Sequence, residues 1–189
     1  TMTMDVSCYS FTALAQRDIE SILTLSKRSE VAPLGVVIEL TEHERIDDFD
    51  SLTAAVRRLR RHGVSIALDD FGDGRSSLRL WSELAPEIVK IDKYFTHDLV
   101  THPEKLQTLR ALQQISVTLG SQLVAEGIET ADALHLVRDL GIKFGQGWFL
   151  GRPAAAPLEE LPAAAAEVIR SKLLAVFPER RRTTDRRAT

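Results

Sequence analysis

Short apolar runs alternate along the chain with longer stretches whose apolar residues recur at helical spacing. The clear runs are Val36-Val37-Ile38, Val64 to Leu68, Ile88-Val89 and Leu123-Val124-Ala125, with weaker ones at Met4 to Ser7 and Ile142 to Phe144. Each has the length of a strand rather than a helix. Between them, Leu52, Ala55, Val56 and Leu59 share one face of a helix expected over Phe49 to His62. Leu106, Leu109, Leu112 and Ile115 mark a second helix, and Leu134, Val137 and Leu140 a third. Gly63, Gly120 and Gly141 follow these segments, and glycine accepts the left-handed conformation that ends many helices. Thr130 stands where the third helix needs an N-cap.

Strand alternating with helix predicts a parallel sheet covered by helices. The sheet is either open and doubly wound or closed into an eight-stranded barrel. The open form usually has a glycine-rich phosphate turn after its first strand, and none is visible here. Barrel enzymes place their chemistry at the C-terminal ends of many strands, and the polar residues of this chain fall there. Glu39 follows the first clear run, Asp69-Asp70 the second, Lys90 and Asp92 the third, and Glu126 the fourth, while Gln146 follows Phe144-Gly145.

Carboxylates gathered on one face repel one another and resist burial. A divalent cation removes that cost, and all-oxygen ligands favour Mg²⁺ or Mn²⁺. Four or more acids have the capacity for two ions. Phosphodiester hydrolysis is the reaction such a site most naturally serves. Taken singly, each acid is more commonly a helix cap or a surface charge, and Glu42 and Asp73 keep that reading. Lys90 alone reads equally as an ion-pair partner of Asp92 or of a neighbour. A Schiff-base lysine is a further alternative, opposed by the acids expected around it. The five histidines show no metal-ligand spacing.

Composition narrows the field. A chain of 189 residues, 44% hydrophobic and 27% charged, suits one domain with a sizeable core. A net charge of −3 argues against general nucleic-acid binding. The single cysteine, Cys8, fits a cytoplasmic location, and no apolar run approaches the ~20 residues of a membrane span. Neither a signal peptide nor a membrane span is expected. Residues 1–158 are read as the barrel domain and 159–177 as a C-terminal helical segment, with an alanine-rich helix over Leu161 to Phe177. The arginine-rich stretch 178–189 is read as a disordered tail.

Five segments, in order and spacing, resemble the EAL domains, the cyclic di-GMP phosphodiesterases. They are Glu39-Leu-Thr-Glu42, Asp69-Asp-Phe-Gly-Asp-Gly-Arg-Ser-Ser-Leu78, Val89-Lys-Ile-Asp92, Val124-Ala-Glu-Gly-Ile-Glu-Thr130 and Phe144-Gly-Gln-Gly147, within about Asp5 to Pro153. The resemblance implies metal ligation by Glu39, Asp69, Asp70 and Glu126, with Asp69 bridging two ions. It implies that Lys90 orients the hydrolytic water and offsets phosphate charge, with Glu126 and Gln146 beside it. Glu129 would steady the loop after Asp69-Asp70, and Pro153 would line the nucleotide site. Asp92 belongs to the motif without a defined role.

There are departures. Asp73 and Arg75 replace a threonine and a tyrosine, and Arg75 becomes a candidate phosphate contact. Asp5 stands where the family carries an asparagine ligand. The Glu-Ala-Leu tripeptide is absent from the sequence, so about six of eight TIM-like barrel strands are expected. That shortfall predicts weak or no activity for the chain alone. It also predicts self-association or a covering segment at the open edge. The leading reading is metal-dependent conversion of cyclic di-GMP to linear pGpG. The alternative is a receptor for cyclic di-GMP, or a protein-interaction module, that does not turn it over.

Overall fold

The computed structural model describes residues 2–5, 36–40, 49–73, 78–153 and 160–171, with only the backbone at 2–5 and 36. Arg75, Glu42, Cys8 and the tail 178–189 lie outside the described residues. In chain order the elements are β1 (Met2–Asp5), β2 (Val36–Leu40), α1 (Phe49–Arg60), β3 (Ser65–Phe71) and α2 (Leu78–Leu84). There follow β4 (Ile88–Ile91), a 3₁₀ turn (Lys93–Phe95), α3 (Pro103–Leu119), β5 (Gln122–Ala125), α4 (Ala131–Asp139), β6 (Phe144–Gly145) and α5 (Ala163–Arg170).

The six strands form one sheet in sequential order, each parallel to the next. Parallel neighbours need a crossover to bring the chain back, and from β2 onward helices α1 to α4 lie in those crossovers. All strand C-termini therefore meet at one edge. The register sets Asp5 opposite Glu39 and Ala125 opposite Gly145. Between β3 and β4 the register shifts between Leu68 and Phe71. Asp69 and Asp70 occupy that irregularity, and Asp70 is left-handed at φ 51°. Bulges of this kind re-aim side chains at strand ends.

Burial explains the elements. Ile66, Ala67 and Leu68 of β3 are buried in succession, as in a parallel sheet covered on both faces. Helix α1 buries Leu52, Val56 and Leu59, and its last turn carries Arg57, Arg58 and Arg60, where cations suit the helix dipole. Helix α3 opens on Pro103 and stops at left-handed Gly120. The Thr130 hydroxyl accepts from the Ala133 amide and caps α4. Trp81 of α2 is fully buried, edge-on to Phe71 at 5.0 Å. Its Nε1 donates to Ser121 Oγ at 2.9 Å, which in turn donates to the Pro86 carbonyl at 2.7 Å.

Several boundaries differ from expectation. The first strand already starts at Met2 and is described to Asp5, while Val6 and Ser7 lie outside the described residues; β6 starts at Phe144. Helix α1 stops at Arg60, and α2 was not anticipated. Within the stretch Leu161 to Phe177 expected to be helical, α5 starts after Pro162, the N-cap at φ −50° and ψ 137°, and Ser171 leaves it at ψ 156°; residues 172–177 lie outside the described residues. Arg138 of α4 fastens this end, donating through Nη1 to the Val168 carbonyl, to the Ser171 carbonyl at 3.0 Å and to Ser171 Oγ at 2.9 Å. Among the described residues β1 and β6 each have one strand neighbour. No described helix is long and apolar enough to cross a membrane.

Candidate functional site

The ends of β2, β3 and β5 bring three carboxylates onto one cation at the end of β4. Lys90 Nζ lies 3.1 Å from Glu39 Oε2, 2.6 Å from Asp69 Oδ1 and 3.0 Å from Glu126 Oε1. The bonds to Glu39 is a donated hydrogen bond, whereas Asp69 Oδ1 is buried and its contact is an ion pair without hydrogen-bond alignment. Asp69, Asp70 and Glu126 each offer a carboxylate oxygen, all within 4.8 Å of one another. Gln146 completes the group, its Nε2 donating to Glu126 Oε1.

The local chain explains this convergence. The Glu126 amide donates to the Ile91 carbonyl at 3.1 Å, extending the β4–β5 ladder to the functional residue. Gln146 is strapped to the same strand end: its amide donates to the Ala125 carbonyl at 2.9 Å and its carbonyl accepts from Ile128 at 3.0 Å. Gly147, at φ 155°, makes this crossing possible, because a Cβ there would stand 2.3 Å from both the amide nitrogen and the carbonyl oxygen of Ile128.

Electrostatics agrees with a cation site. Burial pushes the Glu126 carboxyl above its usual range, although Lys90 opposes the shift. Asp70 is also raised, by burial first and then by the charges of Asp69 and Asp92. Burial alone would lower Lys90, but Asp69 and Glu126 outweigh it and hold its pKa above the ordinary lysine value. A lysine kept charged in this way is a poor amine nucleophile, which disfavours the Schiff-base alternative. Asp70 and Glu126, which resist ionisation, and beside them Asp69, with a buried oxygen that has no hydrogen-bond partner, fit a hard divalent cation. Asp69, Asp70 and Glu126 are the side chains placed to hold it.

The remaining residues fall around this centre. Asp92, an expected partner of Lys90, instead caps the 3₁₀ turn by accepting from the Tyr94 amide at 2.8 Å. Lys90 pairs with acids from other strands because its side chain points to their shared edge. Glu129, Gln146 and Pro153 line a cleft of about 630 Å³ together with Lys93, Trp148 and Arg152. The Arg152 guanidinium sits 4.6 Å above the Trp148 ring, and Trp148 is 61% exposed. Asp5 reaches the same sheet edge through its backbone register with Glu39. Arg75 lies outside the described residues. Sequence reasoning missed Trp148, Arg152 and Thr96, whose buried hydroxyl donates to the Glu126 carbonyl. An aromatic beside the Gly-Gln-Gly turn was the available signal for Trp148; nothing local pointed to Thr96.

The EAL domain family model matches residues 5–153. The chain belongs to the EAL domain family. It is similar to the probable cyclic di-GMP phosphodiesterase PdeA of Escherichia coli, with 32% identity over 74% of this chain and 19% of PdeA. The EAL domain of Mycobacterium smegmatis DcpA superposes with a TM-score of 0.73 at 31% identity, covering 80% of this chain and 67% of that one. The manganese and cyclic di-GMP complex of Klebsiella pneumoniae BlrP1 gives a TM-score of 0.62 at 32% identity, covering 71% and 35%. These neighbours fix the architecture as the TIM-like EAL barrel, of which the six described strands are an incomplete part. The EAL segment spans about a fifth of the length of PdeA.

Proposed function

We propose that this EAL domain hydrolyses one phosphodiester bond of cyclic di-GMP to give linear pGpG, using two Mg²⁺ or Mn²⁺ ions. The observation that carries this reading is the meeting of Asp69, Asp70 and Glu126 around Lys90 at one sheet edge. Asp69, Asp70 and Glu126 would hold the ions, with Glu39 and Asp5 as further ligands. PdeA is a probable phosphodiesterase of this messenger and BlrP1 binds it with manganese, which supports both the substrate and the metal.

Bound cations would neutralise phosphate charge and lower the pKa of water. The protein's own part is to place groups around the phosphorus. Water attacks the phosphorus, the bond to one ribose oxygen breaks, and that oxygen leaves as a hydroxyl after taking a proton. Lys90 remains cationic and offsets the negative charge that grows on the phosphoryl oxygens. Glu126, held by Gln146, is placed to accept a hydrogen bond from the attacking water. Trp148 offers a stacking face for a guanine base, with Pro153 on the same wall and Arg152 poised for phosphate. Arg75 is a further candidate phosphate contact, and Glu129 steadies the loop after Asp70.

The reading places the domain in the cytoplasm. Among the described residues β1 and β6 each lack a second strand neighbour, and such edges call for cover by self-association or by another segment. The test is equilibrium binding of cyclic di-GMP with Mn²⁺, followed by chromatography for pGpG. Binding with slow release of pGpG is expected from the chain alone, both reduced by Asp69→Asn. Binding without pGpG would favour the receptor reading, and absence of binding would remove both.

A further inference from the structure

We infer that Thr96 is a positioning residue for Glu126, fixing through its hydroxyl the main chain that presents the carboxylate to the cation site. The inference rests on the proposed metal-dependent reading of that site. Thr96 is only 1% exposed and follows the 3₁₀ turn, one strand away from Glu126. Its hydroxyl has one proton and reaches two carbonyls, those of Glu126 and, at 3.0 Å, of Lys93. A carbonyl buried at a strand end must find a donor or lose stability, and β6 pairs with β5 only as far as Ala125. Thr96 supplies a donor where the ladder ends.

The fit is close on the other side as well. Gly127, directly after Glu126, is left-handed at φ 65°, and a Cβ there would stand 2.4 Å from Lys93 Cβ and 3.2 Å from Thr96 Oγ1. The Glu126 peptide is thus held at its amide by Ile91, at its carbonyl by Thr96, and beyond that by the turn pressed on Gly127. Rotation of this peptide would swing the Glu126 carboxylate away from Asp69 and Asp70. Outer partners that orient a ligand in this way tune metal affinity without touching the metal.

The experiment measures Mn²⁺ affinity by calorimetry and thermal unfolding in the metal-free protein for Thr96→Val, Thr96→Ser and Ser121→Ala. Thr96→Val keeps the branched shape and loses the donor, so Mn²⁺ binding should weaken by roughly tenfold. Thr96→Ser keeps the hydroxyl and should stay within about twofold of wild type. Ser121→Ala removes another buried hydroxyl, remote from the carboxylates, and should lower stability while leaving affinity unchanged. If Thr96→Val does not fold, Thr96→Ala carries the same expectation. Unchanged affinity in the Val variant overturns the inference while the metal-site reading stands. Equal losses in the Val and Ser variants, or an equal loss in Ser121→Ala, overturn it too, since the effect would be one of general stability. A wild-type chain that binds no Mn²⁺ overturns the metal-site reading and this inference with it.

Discussion

Arg60 and Glu87 are 27 positions apart, and Arg60 Nε donates to Glu87 Oε1 at 2.8 Å. The same guanidinium donates to the Leu84 and Ala85 carbonyls at 2.9 and 2.7 Å, closing the end of α2. The other Glu87 oxygen accepts from the Ile66 amide at 2.8 Å. This pair sits before β4, at the end of the strands opposite the carboxylates, where barrel residues serve stability. Arg60→Ala should lower unfolding free energy by about 1–2 kcal/mol, the scale of lost charge-assisted hydrogen bonds at a partly exposed site. Mn²⁺ affinity should not change. Urea unfolding and calorimetry on the same sample check both.

Asp70 should trade stability for metal binding. Its raised carboxyl means that the folded, metal-free chain resists ionisation there. Stability from this group is therefore present at low pH and lost as pH rises from the unfolded value, about 4, through the higher folded value. Asp70→Asn removes that cost, and asparagine tolerates the left-handed backbone. The variant should be more stable than wild type without metal, with the gap opening as pH rises above about 4, the unfolded value. Added Mn²⁺ should raise the Tm of wild type but barely that of the variant.

Lys90 should separate affinity from turnover. It is charged wherever pH lies below its unfolded value, about 10.4, so its stabilising contribution is complete at neutral pH and fades only as pH rises through the still higher folded value. Lys90→Met should destabilise the metal-free protein by about 1–3 kcal/mol, because the facing acids lose a partly buried counter-ion. Mn²⁺ should bind at least as tightly, since a competing cation has gone. Turnover of cyclic di-GMP per bound ligand should fall steeply, as for a group used mainly in the transition state. A loss of ligand affinity with unchanged turnover would make Lys90 a binding residue.

Two neighbouring glycines should respond differently. At Gly147 a Cβ meets the Ile128 backbone, whereas at Gly145 the close atom is Ile128 Cδ1 at 2.5 Å, the tip of a side chain. Gly147→Ala should cost about 2–4 kcal/mol and loosen Gln146 from Glu126. Gly145→Ala should cost about 1 kcal/mol or less if the isoleucine tip turns aside. Thermal unfolding of the two variants side by side gives the ranking.

The site was more legible than the contacts that support it. Glu39, Asp69, Lys90, Glu126 and Gln146 could be placed on one edge because each follows an apolar run, and parallel strands end together. Helices α1, α3 and α4 carried enough periodic leucine and valine to be seen, while α2 has only seven residues. Residues that act across the sheet left no local trace. Asp92 looked like a partner for Lys90 by proximity, yet it caps its own turn. The Thr96 hydroxyl finds its carbonyl 30 positions away, and only the register of β4 beside β5 brings the two together. The C-terminal helix runs to Arg170 and the backbone turns extended at Ser171, a turn that the apolar Leu173, Leu174, Val176 and Phe177 beyond it gave no sign of.

The unbroken sequential order of the strands also bears on how the chain is made. Each described strand pairs with the one synthesised just before it, so within the described sheet none waits for a distant partner. Growth from the ribosome can add these units in turn. The carboxylates of β2 and β3 emerge first, and the charge they gather is answered only when β4 delivers Lys90. Glu126 and Gln146 come later still. An ion that needs the whole set therefore binds a nearly finished domain, and its capture marks the end of assembly rather than its beginning.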